Sequence, residues 1–192
     1  PNMAHLRLKN LRFGSAGTGD RMVEAMDLSR GMSVLDCTLG FGADAIVASF
    51  AVGPEGQVTG IESQPLIETV VGYGLAHFKA ENWPIQEAMR GIHTVCADAF
   101  DYLKEQPDDS VDVVYFDPMF RHPLLESRSL SPLRTVANHE PVSEAMIEEA
   151  CRVARRRVVF KENARSLEFE RLGFTKIMGG RYSKVHYGVR IL

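Results

Sequence analysis

The sequence predicts an α/β fold in which a mostly parallel sheet carries helices on both faces. From residue 33 onward, short runs of apolar and β-branched residues alternate with longer segments of helical periodicity. The first run ends on Asp36 and turns at once through Gly40 and Gly42 into a predicted helix. A strand, a glycine-containing turn and a helix in this order are typical of the first unit of such a fold.

The remaining elements follow from the same patterns. The predicted helices span 21–28, 43–51, 65–81, 85–89, 99–105, 142–153 and 164–172. The predicted strands span 34–36, 57–61, 93–97, 111–116 and 157–161, and residues 174–191 are expected to form a hairpin. In the longest helix, Leu66, Val70, Gly74 and Phe78 fall on one face. Right-handed crossovers between parallel strands would bring the strand ends to one edge of the sheet.

The length and composition of the chain indicate a single core. With 192 residues, 45% of them hydrophobic, the chain is long enough for one well-packed domain, which we expect to span 20–192. Residues 1–19 begin with Pro1 and are expected to be an amino-terminal arm that ends a longer upstream segment. No run approaches the roughly 20 apolar residues of a membrane span and no secretory signal is recognisable, so we expect a cytoplasmic protein without a membrane partner.

The cysteines indicate neither a disulfide framework nor a metal site. Cys37, Cys96 and Cys151 are odd in number, far apart, and each embedded in an apolar segment. We therefore expect three buried thiols. The histidines also lack the spacing of metal ligands, so no metal is predicted.

The formal charge of -3 conceals an asymmetry along the chain. Residues 1–120 contain 8 Lys and Arg against 17 Asp and Glu, whereas residues 121–192 contain 14 against 8, which gives -9 followed by +6. The basic half could face a polyanion, although solvated helix faces and strand ends explain individual cations equally well. Its cations include Arg152, Arg155, Arg156, Arg157, Arg165, Arg171, Lys176, Arg181, Lys184 and Arg190.

The segment that follows the first strand is the first candidate binding site. Its glycines allow conformations that a β-carbon would forbid, and the unpaired amides at the start of the next helix point over the turn. The spacing Gly40-x-Gly42-x-x-Ala45, with Glu62 about 20 residues further on, also satisfies the loose dinucleotide-binding fingerprint. The acid that ends the strand would repel a pyrophosphate and favours a cationic ligand. The candidate binding residues here are Asp36, Thr38, Gly40, Gly42, Ala43 and Asp44.

Acids also follow the second and third predicted strands. Glu62, with Ser63 next to it, should lie beside the glycine turn, where a carboxylate can accept hydrogen bonds from both ribose hydroxyls. An alternative is that Glu62 caps the helix that begins near Gln64. Asp98, followed by Ala99, ends the third strand and could accept a hydrogen bond from an adenine amino group or cap the next helix.

The segment Asp117-Pro118-Met119-Phe120 is the candidate catalytic site. Five apolar residues among 111–116 form a predicted central strand, which must end at Pro118 because proline cannot continue the hydrogen-bonded ladder. The break places Asp117 and Phe120 over the carboxyl edge of the sheet. A carboxylate that accepts from an amino group, beside an aromatic ring that stacks on a base, can hold an exocyclic amine for reaction.

These motifs resemble those of a known family. The pattern D-x-T-x-G-x-G resembles the S-adenosylmethionine (SAM) loop of class I methyltransferases. Asp117-Pro118-Met119-Phe120 resembles the D/N-P-P-Y/F signature of methyltransferases that modify exocyclic base amines, and it is more similar still to the D-P-M-F of the bacterial small-subunit ribosomal RNA guanine-N2 methyltransferase family. The resemblance covers residues 18–190, with Cys37 in place of the usual alanine and Ala43 where an arginine is common.

The resemblance implies a class I methyltransferase (Rossmann-like) fold, whose seven-stranded, mostly parallel sheet has the order 3-2-1-4-5-7-6. It also implies SAM as the cofactor and methyl transfer to an exocyclic base amine, with guanine in small-subunit ribosomal RNA as the acceptor. The partner would then be ribosomal RNA or the small ribosomal subunit. In this interpretation Asp98 holds the adenine, and Asp117, Pro118 and Phe120 act on the acceptor beside the sulfonium end of the cofactor. Asp117 is also expected to contact the cofactor.

Other acceptors and other classes of protein stay open. The acceptor could be an adenine amine or a small molecule, and a non-catalytic nucleotide-binding module or an NAD-type protein would share the glycine turn. Against the NAD-type protein, we expect 192 residues to leave no room for a separate catalytic domain. Lys161 is a further candidate for contacting substrate, and the long segment 121–140 for a substrate loop or lid. We also expect the upstream segment to help grip RNA, because the first half of the chain is acidic.

Overall fold

The computed structural model describes residue 7 and residues 19–80, 83–118 and 141–192. The helices in these ranges are α1 (Arg21–Met26), α2 (Ala43–Val52), α3 (Pro65–His77), α4 (Trp83–Arg90), α5 (Ala99–Glu105), α6 (Glu144–Val153) and α7 (Glu168–Arg171). The strands are β1 (Ser33–Asp36), β2 (Gln57–Glu62), β3 (Ile92–Cys96), β4 (Val111–Phe116), β5 (Ala154–Asn163), β6 (Lys176–Met178) and β7 (Val185–Ile191). The expected arm at 1–19 lies almost wholly outside the described residues, with Arg7 and Gly19 as its described members.

All seven of these strands form one sheet in the order β3-β2-β1-β4-β5-β7-β6, as the resemblance implies. Strands β1 to β5 are mutually parallel, and β7 runs antiparallel to both β5 and β6. Strand β1 is central, so that its last residue, Asp36, is paired with Gly60 of β2 and with Tyr115 of β4. The carboxyl ends of the parallel strands therefore meet at one edge, where the strand order reverses.

Two hydrophobic cores lie on the opposite faces of the sheet. Because successive side chains of a strand point to opposite faces, Val34 and Val113 belong to one core, whereas Leu35 and Val114 belong to the other. The first core is completed by residues of α1, α2, α3 and α4, and the second by residues of α5, α6 and α7. The predicted architecture, with helices on both faces, is confirmed.

Some predicted element boundaries are wrong for local reasons. The helix predicted to reach residue 81 ends at His77, because the next residue, Phe78, has an extended backbone. The helix predicted for 164–172 is limited to Glu168–Arg171. Here the amide of Ser166 donates to the carbonyl of Asn163 at 2.9 Å, so the chain turns before the helix begins. Conversely, the strand predicted for 157–161 extends over all ten residues of β5.

The apolar face that the sequence indicates for α3 is exposed. Leu66 and Val70 are 68% and 62% exposed, respectively, while the buried face carries Ile67, Val71 and Leu75. The two rows are offset by one residue, and both are apolar, so the sequence pattern alone does not select the row that packs on the sheet.

The cysteine prediction is correct in part. Cys37 is buried, Cys151 is partly buried, and Cys96 is exposed because it ends β3 at the outer edge of the sheet. Among the helices that the structure describes, none is long and apolar enough to cross a membrane.

Candidate active site

The glycine-containing segment after β1 lies between the ends of β2 and β4. The amide of Cys37 donates to the carbonyl of Tyr115 in β4 at 2.9 Å, and the amide of Leu39 donates to the carbonyl of Ile61 in β2, also at 2.9 Å. The segment is therefore bonded to the strands on both sides of β1. This brings the predicted binding residues at 36–44 next to the acids that end the neighbouring strands.

The turn itself requires glycine at two positions. Gly40 and Gly42 have φ angles of +49° and +72°, in the left-handed region that other residues rarely adopt. Gly42 is the N-cap of α2 and offers no side chain to the amides of the first turn, which begins at Ala43. The start of α2 is therefore open for a ligand at the edge of the sheet.

Replacing Gly42 with alanine should destabilise the protein by about 1 to 2 kcal/mol, because a β-carbon is strained in the left-handed conformation. The matched control is Gly74→Ala in α3, where a β-carbon would meet no atom within 4 Å and alanine should stabilise the helix by roughly 1 kcal/mol. Urea unfolding of both variants measures the difference. Equal stability of Gly42→Ala and the parent chain would contradict the assigned backbone geometry.

Glu62 lies beside the glycine turn, where the sequence places it. Its Oε2 accepts a hydrogen bond from the amide of Gly40 at 3.2 Å, and its Oε1 accepts from the amide of Gln64 at 2.9 Å. The alternative prediction, that Glu62 caps the helix beginning near Gln64, is therefore confirmed in part, because Glu62 binds the amide of Gln64, the N-cap residue of α3. The same carboxylate joins the end of β2 to the turn that follows β1, with Ser63 next in the chain.

Asp36, Thr38 and Asp117 form a connected chain across the edge. Asp36 Oδ1 accepts from the amide of Thr38 at 3.0 Å and from its hydroxyl at 3.2 Å, and that hydroxyl accepts from the amide of Asp117 at 2.6 Å. Asp36 is only 2% exposed, and burial raises its pKa to about 7 although the Thr38 amide opposes this. In this structure Asp36 and Thr38 fix the turn and the end of β4, and their contact with a cofactor stays a prediction.

Asp98 is the N-cap of α5, which begins at Ala99. Its Oδ1 accepts from the amides of Phe100 and Asp101 at 2.9 and 3.1 Å. The capping role that the sequence allows is therefore present. Asp98 is exposed at the carboxyl end of β3, and its predicted bond to adenine stays a prediction.

A buried ion-pair network occupies the centre of the site. Lys161, from β5, donates from Nζ to Asp117 Oδ2 at 2.7 Å and to Asp44 Oδ2 at 2.9 Å. The hydroxyl of Tyr115 also donates to Asp44 Oδ2, at 2.7 Å. The guanidinium of Arg7 donates to Asp44 Oδ1 and, on its other side, to the carboxylate of Asp20. Asp44 is thus surrounded by protein donors.

The network gives its two central carboxylates different properties. Burial raises the pKa of Asp117, the ammonium of Lys161 lowers it and the charge of Asp44 raises it, and the result is a pKa of about 6. Burial would also raise the pKa of Asp44, but the charges of Lys161 and Arg7 and the hydrogen bond from Tyr115 hold it well below its usual range. Asp44 is therefore a fixed negative charge, whereas Asp117 titrates near neutral pH.

The structure brings together most of the residues that the sequence singles out, and it adds others. Asp44 is directed at Lys161 and Tyr115 rather than at the glycine turn, which favours an organising role over direct cofactor contact. Arg7 and Tyr115 carry no signal in the sequence. Lys161 does carry a sequence signal: it follows directly on a run of β-branched and aromatic residues in a predicted buried strand, and a lysine in such a position needs a charged partner. Strand β4 ends at Phe116, so the chain leaves the strand at Asp117 and Pro118 as predicted, whereas Met119, Phe120 and the expected loop at 121–140 lie outside the described residues.

Comparison with known proteins agrees with this geometry. Residues 3–176 match the family model described as "Putative SAM-dependent methyltransferase". The uncharacterized protein YpiP of Bacillus subtilis is 44% identical over 189 residues, which cover 98% of this chain and 72% of that protein. The ribosomal RNA small subunit methyltransferase J of Aliivibrio fischeri is 32% identical over 173 residues, which cover 83% of this chain and 63% of that enzyme, so the chain spans less than two thirds of its length.

The fold also has solved relatives. A SAM-dependent methyltransferase from Neisseria gonorrhoeae superimposes with a TM-score of 0.66 at 18% identity, over 96% of this chain and 71% of that one. This chain therefore combines the strand order, the glycine turn and the acids at the carboxyl edge with a sequence that matches the model of SAM-dependent methyltransferases. The chain belongs to the family of SAM-dependent methyltransferases.

Proposed function

We propose that this methyltransferase modifies an exocyclic base amine, and that the base is a guanine of small-subunit ribosomal RNA. The observation that carries the proposal is the place of Asp117. It follows directly on β4 beside the glycine turn, its amide donates to the hydroxyl of Thr38, and its carboxylate is anchored through one oxygen to Lys161. The other oxygen is the natural acceptor for an amine N–H, and the D-P-M-F sequence supports a base amine as the group that is held.

The residues at the edge fit SAM. Gly40 and Gly42 allow the backbone to approach a ligand closely, and we propose that Glu62 accepts hydrogen bonds from the ribose hydroxyls. In the part of the chain that the structure describes, the three carboxylates of Asp20, Asp44 and Asp117 are paired with two cations, Arg7 and Lys161. A cationic cofactor offsets the remaining negative charge, whereas the pyrophosphate of a dinucleotide would add to it.

The chemistry divides between the cofactor and the protein. When bound, SAM would supply an electrophilic methyl group on a sulfonium: the amine lone pair would attack the methyl carbon, and the sulfur would leave as a neutral thioether. The part of Asp117 is to accept a hydrogen bond from the amine and so to hold the nitrogen in line. Its pKa of about 6 keeps it largely ionised at neutral pH, in the state that accepts. The proton that the methylated amine loses can pass to solvent.

The choice of acceptor rests on the relatives. The methyltransferase J enzymes that are 28 to 32% identical to this chain are named for ribosomal RNA of the small subunit. Because the chain spans only 58 to 63% of their length, the acceptor and the ribosomal partner are proposals for this protein.

Replacing Glu62 with alanine should weaken SAM binding by about 1 to 3 kcal/mol, because charge-assisted hydrogen bonds to the ribose are lost. Isothermal calorimetry with S-adenosylhomocysteine measures the change, and NAD in a parallel titration should not bind. The control is Glu55→Ala, which removes an exposed carboxylate from the turn before β2. Unchanged affinity of a folded Glu62→Ala variant would remove Glu62 from the ribose site.

The acceptor class is tested by tritium transfer from labelled SAM. Small ribosomal subunits from cells that lack the gene are compared with a pool of small metabolites from the same cells. We expect label in the RNA of the subunits and none in the metabolite pool. Label in metabolites alone would support the small-molecule alternative and would rule out the RNA proposal.

A further inference from the structure

A second surface adjoins the candidate active site at the same edge of the sheet. Strand β5 ends at Asn163, which is paired with Val185 at the start of the antiparallel strand β7. The loop at 164–167 and the loop at 179–184 therefore both leave the sheet at its carboxyl edge. Lys161, whose ammonium lies in the active site, is two residues before Asn163, which corresponds to roughly 7 Å along the strand.

These loops carry exposed cations and an exposed aromatic ring. Arg165, Arg181 and Lys184 are exposed, and Tyr182 is 89% exposed. Arg21, the first residue of α1, packs over the second loop, where a β-carbon on Gly180 would lie 2.7 Å from its Nη2. We call this surface the basic rim. It consists of Arg21, Arg165, Arg181, Tyr182 and Lys184.

The backbone of the rim is held in place by its own hydrogen bonds. The amide of Ala164 donates to the carbonyl of Lys184 at 3.0 Å and so joins the two loops. Within the second loop, the amide of Ser183 donates to the carbonyl of Gly180 at 2.9 Å, and the ring Nε2 of His186 lies 3.3 Å from the same oxygen. A surface that is ordered before binding loses less entropy when a ligand arrives.

The arginines at the opposite edge of the sheet are used differently. Arg152, Arg155 and Arg157 lie at or near the amino end of β5, and each forms an ion pair with a carboxylate of the chain. Within the part of the chain that the structure describes, Arg165 and Arg181 form no such ion pair. Among the described residues, the arginines at the amino edge are therefore neutralised by ion pairs, whereas Arg165 and Arg181 at the active-site edge are not.

The chemistry of the basic rim matches single-stranded nucleic acid. Guanidinium groups match the geometry of phosphate oxygens, and an exposed tyrosine offers a face on which a base can stack. The network around Asp44 and Asp117 carries excess negative charge and would repel phosphates, so a nucleic acid has to be held beside the site rather than over it. We propose that the basic rim binds the RNA backbone next to the acceptor base. This rests on the proposed function, in which the acceptor is a base in RNA.

The test compares RNA binding by two double variants that lose the same charge. Arg165→Ala with Arg181→Ala removes two cations of the rim. Lys104→Ala with Arg156→Ala removes two half-exposed cations, from the last turn of α5 and the amino part of β5. Binding of a small-subunit ribosomal RNA transcript is followed by fluorescence anisotropy at several salt concentrations. Tyr182→Ala tests the stacking contribution, and calorimetry with S-adenosylhomocysteine checks that each variant keeps an intact cofactor site.

We expect the Arg165→Ala, Arg181→Ala double variant to bind the transcript about tenfold more weakly near 0.15 M salt. The slope of the logarithm of its binding constant against the logarithm of the salt concentration should be smaller in magnitude by about 1.4, the value for two lost single-strand phosphate contacts. The Lys104→Ala, Arg156→Ala double variant should bind the transcript as tightly as the parent chain does. Tyr182→Ala should lose about tenfold in affinity with an unchanged salt slope.

The possible failures are distinguishable. If the parent chain binds and methylates the RNA but the rim double variant and Tyr182→Ala bind equally well, the rim assignment is wrong and the proposed function stands. Equal losses in both double variants would likewise overturn the assignment, because they would reflect net charge alone. If the parent chain neither binds nor methylates the RNA, the proposed acceptor is wrong and the rim proposal falls with it.

Discussion

Replacing Asp117 with alanine is expected to lower the rate of methyl transfer by about 10³-fold or more, because an acceptor amine that is not held in line loses much of the advantage of positioning. The affinity for SAM should stay within about tenfold of the parent value, since this carboxylate acts mainly on the acceptor. Turnover is measured with labelled SAM and small ribosomal subunits, and affinity by calorimetry.

The Asp117→Ala variant should keep its fold. The backbone amide of residue 117 retains its bond to Thr38, and Lys161 retains Asp44 as a partner at 2.9 Å, so no buried cation is left unpaired. Asp101→Ala is the matched control, because it removes a carboxylate whose side chain is 69% exposed on α5. A folded Asp117→Ala variant with near-parental turnover would exclude Asp117 from the catalytic site.

Replacing Lys161 with methionine is expected to reduce methyl transfer at neutral pH by about 10- to 100-fold, because a charged hydrogen-bond partner of Asp117 is lost. Burial and the charge of Asp44 both raise the pKa of Asp117, and only the ammonium of Lys161 offsets them among the main contributions. Without it, the pKa of Asp117 moves above its parental value of about 6, and more of the enzyme carries a neutral carboxyl group at pH 7.

The pH profile identifies Lys161 as a positioning residue. In the parent enzyme, activity should fall as the pH drops through about 6, the pKa of Asp117. In Lys161→Met this acid limb should move to higher pH, whereas Lys161→Arg keeps a cation and should keep both the limb and most of the activity. Removing one partner of a buried pair also destabilises the fold, so thermal unfolding of both variants must accompany the assay. An acid limb that does not move in Lys161→Met would contradict this role.

The glycine turn and the end of β4 could be predicted because each depends on residues close together in the chain. The glycines of the turn after β1 are dictated by positive φ angles at positions 40 and 42, and the end of β4 is dictated by Pro118. Both signals lie within a few residues of the structure that they specify. The crossover rule then places Glu62 beside the turn, where its carboxylate accepts from Gly40 at 3.2 Å.

The ion-pair network could not be predicted because its members are far apart in the chain. Arg7 and Asp44 are separated by 37 residues, and Lys161 and Asp44 by 117. The sequence motif that includes Asp44 associates this residue with the cofactor loop. The orientation of its side chain, however, depends on Tyr115 in β4 and Lys161 in β5, and the pleat of β4 fixes the position of Tyr115. Such pairings depend on which strands become neighbours and on which face each side chain lies.

The face of α3 illustrates a different limit. The row with Leu66 and Val70 and the row with Ile67 and Val71 are both apolar, and only the sheet beneath decides between them. A helix with two adjacent apolar rows has a weak amphipathic signal, so its orientation about its own axis is a tertiary property.

Identification of the methylated nucleoside is the sharpest test of the proposed function. Small ribosomal subunits from cells that lack the gene are incubated with the enzyme and tritium-labelled SAM, and their RNA is digested to nucleosides and separated by chromatography. We expect the label to elute with N2-methylguanosine, and Asp117→Ala to abolish the labelling. Label that elutes with a methylated adenosine or with a ribose-methylated nucleoside, or RNA that stays unlabelled, would contradict the proposed function.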